Sequence, residues 1–190
     1  MATKKLQELM LYIAKRSLND PYFGYVKLNK ILFYADFFAY GELGKPITGA
    51  TYIRNLYGPT PRGIKAVEAT LEGDDRARVE IREIPGYQHK QHRLVPLVEP
   101  DLSLFSSDET GIVDRVIDEY RHYTGKQLSD QTHQLLPWLN SAEGEEIPYS
   151  SVFALEKMPV GYEDRLWAMQ ALDELADMDP IEWEPIEVDA

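Results

Sequence analysis

Apolar residues recur at three- and four-residue steps from the start of the chain. In KKLQELMLYIAKRSL (4–18), Leu6, Leu9, Met10, Ile13, Ala14 and Leu18 fall on one stripe. That spacing predicts an amphipathic helix. Asn19-Asp20-Pro21 ends it, because the residue before a proline is steered out of helical geometry. A second helical pattern fills YVKLNKILFYADFFAYGE (25–42). Its Leu28, Ile31, Leu32, Ala35, Phe38 and Ala39 are in register, while Tyr34, Phe37 and Tyr40 lie mostly off that stripe. Apolar groups therefore cover most of the circumference, as expected of a central helix packed on several sides. Lys27 and Lys30 share the remaining face, where their long stems let the ammonium groups snorkel to water. Gly41 and Gly44 close the helix, and Gly44-Lys45-Pro46 reads as a turn.

The pattern then weakens. ITGATYIRNLY (47–57) is only partly strand-like, and NLYGPTPRGI (55–64) spends two glycines and two prolines on ten positions. Here Gly58 is expected to take a positive φ and Pro59 to stiffen the chain. Thr60 is expected to cap a short helix over 61–72 whose first residue is Pro61. That would put Arg62 in the first turn, against the positive end of the helix dipole. VEIREI (79–84) and HRLVPL (92–97) flank PGYQHKQ and predict a β-hairpin, with Pro96 marking an edge strand. Ser106 and the acids after it open a helix with Ile112, Val113, Val116, Ile117 and Tyr120 as its stripe, stopped by Thr124-Gly125. Ser129 is expected to cap the next helix, with Leu135, Leu136 and Leu139 as its apolar side. A short helix starts near Ser150, and a longer one spans about 162–178. The expectation is a mainly α (α+β) fold: a single compact helical domain, residues 1–158, with a small β-hairpin or sheet. Residues 159–190 add a helix and an acidic tail, packed on or extending the same domain.

Composition narrows the chemistry. The chain has no cysteine, which removes disulfides, thiolate metal sites and cysteine nucleophiles. Without a secretory leader or an apolar run of membrane length, the expected location is the cytoplasm. The net charge is −12, but it is unevenly spread: residues 1–65 hold ten Lys/Arg against four Asp/Glu, and residues 66–190 ten against twenty-eight. The total disfavours nucleic acid. The basic first third leaves a DNA-binding regulator open, and the acidic remainder suits a basic partner.

The residues give no positive reason to propose an enzyme. NLYGPTPRGI lacks the Gly-Lys-Ser/Thr ending of a phosphate loop, and its prolines remove two of the N–H donors such a loop needs. His89 and His92 share a hairpin but have no further ligands at zinc spacing. His133, near Trp138, suits packing or a pocket better than general-base work. No nucleophile elbow or zincin helix is present. No catalytic residue, metal site or cofactor is assigned, although an enzyme with an unrecognised site stays open.

Two segments together resemble a known family. KLNKILFYADFFAYGELGKPITGATYIRNLYGPTPRGI (27–64) is similar to the signature of the Panacea domain, the SocA-like antitoxin and phage-associated protein family. LSDQTHQLLPW (128–138) looks like its second landmark. The resemblance covers roughly residues 5–155 and rests on Lys27, Leu28, Lys30, Gly44, Lys45, Pro46, Tyr57, Gly58, Pro59, Ser129, His133 and Trp138. It implies a non-enzymatic antitoxin that neutralises a toxin encoded beside it by direct protein–protein binding. Some relatives look like adaptors that hand the toxin to a cytoplasmic protease. Toxin contact is expected at Tyr57, Gly58, Pro59 and Arg62, with Lys30 and Tyr34 of the neighbouring helix. Lys27, Leu28, Gly44, Pro46, Ser129, His133 and Trp138 are expected to be structural.

Overall fold

The helix with apolar groups around most of its circumference is the axis of the molecule. In the computed structural model, which describes residues 2–83 and 90–154, helix α2 (Tyr25–Leu43) is buried without interruption from Lys27 to Ala39. Around it pack α1 (Ala2–Arg16), α4 (Ser107–Tyr120) and α5 (Gly125–Thr132), together with a 3₁₀ helix (Tyr149–Ala154). Its aromatic residues interlock: Phe33 lies against Phe37 (4.2 Å between centroids) and Tyr52 (5.7 Å), and Tyr34 lies against Tyr120 (4.8 Å). Gly44 caps α2 at φ 72°, and its N–H bonds the carbonyl of Tyr40.

Among the described residues, two small antiparallel sheets join these helices. Strand β1 (Tyr52–Ile53) lies between β2 (Thr60–Pro61) and β5 (Glu146–Ile147), with Tyr52 opposite both Pro61 and Ile147. Strands β3 (Ala77–Arg82) and β4 (Gln91–Pro96) form the predicted hairpin, with Ala77 opposite Pro96 and Arg82 opposite Gln91. The fold is mainly α with a small β part, as the patterning implies. His89, the helix over 162–178 and the acidic tail lie outside the described residues.

Several local expectations need correction. α1 ends at Arg16, and Leu18 is exposed beyond it. Thr60 and Pro61 are strand residues rather than a helix start; α3 (Ile64–Gly73) begins after Gly63, whose φ is 76°. Arg62 thus lies before the helix, and its N–H donates to Thr51 across the sheet. α4 ends at Tyr120, ahead of Thr124-Gly125. Thr124, not Ser129, caps α5: its hydroxyl accepts from the N–H of Gln127, whose side chain reaches back to the Thr124 N–H. Leu136 and Leu139 face outward from the one-turn helix α6 (Leu136–Leu139).

The largest correction concerns the two lysines of α2. Neither snorkels; each is only 1% exposed. Lys27 pairs with the Asp20 carboxylate (2.5 Å) and donates to the carbonyls of Arg121 (3.0 Å) and Tyr123 (2.8 Å). Buried Arg93 works in the same way, donating to the carbonyls of Ser17, Leu18, Asp20 and Phe23 just beyond α1. These cations satisfy backbone carbonyls that would otherwise be left without donors in the interior.

The basic first third is also spent internally. Lys5 pairs with Glu109 (2.9 Å), Arg16 with Asp114 (3.0 Å) and Lys15 with Glu99. The charge imbalance along the chain is therefore partly a complementarity within it. Part of the footprint a DNA-binding regulator would need, Lys5, Lys15 and Arg16 of α1, is held by the chain's own acids.

Candidate functional site

The segment after β1 is an irregular loop whose backbone is held from three helices. Trp138 Nε1 of α6 donates to the carbonyl of Asn55 (3.4 Å). Ser129 Oγ of α5 donates to that of Tyr57 (3.0 Å), and Lys30 Nζ of α2 to that of Pro59 (3.0 Å). A turn bond from the Gly58 N–H to Asn55 (2.8 Å) closes the loop on itself. Gly58 has φ 94°, and a Cβ there would lie 2.4 Å from Thr132 Oγ1 and 2.6 Å from Lys30 Nζ. Both backbone geometry and space therefore require glycine.

Lys30 is the unusual member of this latch. Its single acceptor is a carbonyl, and among the described residues no carboxylate pairs with it. Burial alone pushes its pKa from an ordinary 10.5 down to about 7. Nearby His133 is pushed below its ordinary value by its own partial burial and by Lys30.

Above this latch the side chains point outward. Leu56 is 64% exposed and Tyr57 61%. Beside them Trp138 is sandwiched between His133 (ring centroids 4.2 Å, 23° apart) and the Arg54 guanidinium, 4.0 Å over the ring. Arg54 also donates to the Ser141 carbonyl. Pro137 tucks α6 into the domain, leaving Leu136 and Leu139 in solvent. α6 in turn packs on the 3₁₀ helix Tyr149–Ala154, whose Phe153 is 76% exposed. Five large apolar side chains thus stand uncovered on three neighbouring segments.

The predicted contact residues separate into two groups. Tyr57 and Arg62 are exposed, and Arg62 has no carboxylate partner among the described residues. Gly58 and Pro59 are buried and shape the loop from within. Lys30 and Tyr34 lie inside the fold and offer no contact surface: Lys30 supports the loop, and Tyr34 packs on Tyr120. Of the landmarks, Lys27 and Leu28 are buried, Gly44 caps α2, and Ser129, His133 and Trp138 gather beneath or beside the loop. Pro46 and the exposed Lys45 follow Gly44 in the turn after α2. Arg54 and Leu56 escaped sequence reasoning. A leucine within a Gly/Pro-rich turn was the available signal, because a tight turn leaves such a side chain little to pack on.

The acids nearest the axis are structural in their bonding. Asp36 is fully buried and accepts from the Thr48 N–H (2.7 Å), Thr48 Oγ1 (2.5 Å) and Tyr52 Oη (2.8 Å). It ties the turn after α2 to the helix, and burial raises its pKa. Among the described residues no group of three or more His, Asp or Glu side chains is placed to hold a metal ion. No described helix is long and apolar enough to cross a membrane.

Neither a curated protein nor a solved structure matches the chain. The family model described as antitoxin SocA-like, Panacea domain, matches residues 28–139. That span runs from the second residue of the Lys-Leu pair of α2 to the last residue of α6. It therefore takes in the loop and all three helices that latch it. By that match over more than half its length, the chain belongs to the SocA-like antitoxin family of Panacea domains.

Proposed function

We propose that this protein neutralises a protein toxin by binding it directly, with the 54–64 loop and α6 as the contact face. One observation carries the reading: Leu56 and Tyr57 are exposed on a loop whose backbone three helices already hold in place. Exposed apolar side chains on a fixed backbone lose little entropy on binding, and a tyrosine so presented is a typical anchor of binding energy. Large apolar side chains left uncovered side by side on neighbouring segments are what an interaction site on a soluble protein presents. A complex burying ~1,600 Å² in total would be of ordinary size for a stable pair.

The direct test is co-expression with the protein of the adjacent reading frame. The expected result is that the neighbour arrests growth alone, that this chain restores growth, and that the two purify as a complex. A neighbour that remains toxic beside normal levels of this folded chain contradicts the proposal.

A further inference from the structure

The rim of the same face says which partner fits it. The loop joining α6 to β5 runs alongside Arg54: the Arg54 N–H donates to the Glu145 carbonyl, and the Gly144 N–H to the Arg54 carbonyl (both 2.9 Å). Ile53 stands opposite Glu146 across the β1–β5 pair. These bonds set Glu143, Glu145 and Glu146 beside the chain that leads into Leu56 and Tyr57.

All three glutamates are exposed, and among the described residues none forms an ion pair. Glu145 accepts from the N–H of Ala142, while among the described residues the side chains of Glu143 and Glu146 make no hydrogen bond. Some acids elsewhere hold a cation of the same chain, as Glu8, Glu109, Asp114 and Glu99 do, while exposed Asp74, Asp75 and Asp108 hold none among the described residues. Arg54, whose backbone pairs with this loop, is stacked on Trp138 and bonded to the Ser141 carbonyl, and among the described residues it forms no ion pair with any of the three.

Carboxylates on an exposed loop are ordinary in themselves. These lie beside an uncovered apolar face, and the two features together select an occupant. We infer that the partner of this face is a protein with a basic surface, seating an apolar group against Leu56, Tyr57, Leu136 and Leu139 and lysines or arginines against Glu143, Glu145 and Glu146. This rests on the proposed toxin-binding role of the face and adds the chemistry of the toxin. The apolar centre supplies the lifetime of the complex, and the acidic rim supplies steering and register.

The test uses the full chain and the adjacent frame's protein, with association and dissociation rates measured at low and high salt. Glu143→Lys with Glu146→Lys reverses two exposed charges that form no ion pair among the described residues, so the unfolding midpoint should move little. Association at low salt should slow by ~10-fold or more, the range electrostatic steering commands, and lose most of its salt dependence. Dissociation should change little. Leu56→Asp, by contrast, should abolish stable binding at either salt. An unchanged or faster association of the double variant, with Leu56→Asp still defective, overturns the basic-partner inference and leaves the face standing. If neither variant alters binding, the face itself is misassigned.

Discussion

The packing around α2 and the face formed by the 54–64 loop and α6 treat side chains in opposite ways. Around α2 every ring from Phe33 to Phe38 is buried, and the charged groups are engaged. Glu8 accepts from Arg76 and from the Asp101 N–H, and Glu109 from Lys5 and its own helix cap. On the face, Leu56, Tyr57, Leu136 and Leu139 are exposed, and among the described residues Glu143 and Glu146 form no ion pair. Yet the backbone of the face is held as firmly as the core, by bonds from α2, α5 and α6 to the alternate carbonyls of Pro59, Tyr57 and Asn55. Order there comes from latching the main chain rather than from burying side chains. Those side chains therefore contribute little to stability.

The comparison can be broken most severely from the core side. Phe33→Ala removes a fully buried ring between Phe37 and Tyr52 and should cost ~3–5 kcal/mol of unfolding free energy in denaturant. A loss below ~1 kcal/mol would mean that α2 is not the axis of the fold. Gly58→Ala strikes the latch. With φ at 94° and Thr132 and Lys30 in the way, it should cost about 1–3 kcal/mol and loosen the loop. Faster amide exchange confined to residues 55–60 would show this, and unchanged protection there would contradict the latch.

A smaller effect sharpens the role of Lys30. Its pKa is about 7 in the folded chain against an ordinary 10.5. Between those values the unfolded chain binds the proton more than the folded chain does. Stability should therefore rise with pH from about 7 toward 10. The slope from one proton is at most about 1.4 kcal/mol per pH unit. Above pH 10 the buried tyrosines, whose pKa values burial raises, reverse the trend. Lys27 is also lowered and slopes the same way, so the difference between the wild type and Lys30→Met isolates Lys30. That variant should show a flatter profile over pH 7–9.5; equal slopes would mean that Lys30 is charged in the fold.

What was legible in the sequence followed from short-range rules. The stripe of α4, its Ser106 cap and the β3–β4 hairpin each declare themselves within a few residues, through periodicity and cap chemistry. The Thr124 cap was legible too, in the pairing of Thr124 with Gln127, but Ser129 offered an equally good capping side chain. The burial of Lys27 and Lys30 was not. Their acceptors come from Arg121, Tyr123 and Pro59, and no local pattern says that a distant carbonyl will need a donor. Thr60-Pro61 misled for the same reason, since pairing with Tyr52-Ile53 outweighed its fitness as a helix start. At the site, sequence pattern and family resemblance marked the Tyr57–Pro59 turn, Arg62 and Trp138. The exposure of Leu56, Leu136 and Leu139, and the stacking of Arg54 on Trp138, arise only when three separated segments meet.

The central claim is that the side chains of the face bind without stabilising. It is tested most directly by measuring, on one sample of Tyr57→Ala, both its unfolding free energy and its affinity for the adjacent frame's protein. The account predicts stability within ~0.5 kcal/mol of the wild type and affinity weaker by ~30-fold or more, the scale of a hot-spot tyrosine. Undiminished affinity, or a loss of affinity matched by an equal loss of stability, would contradict it.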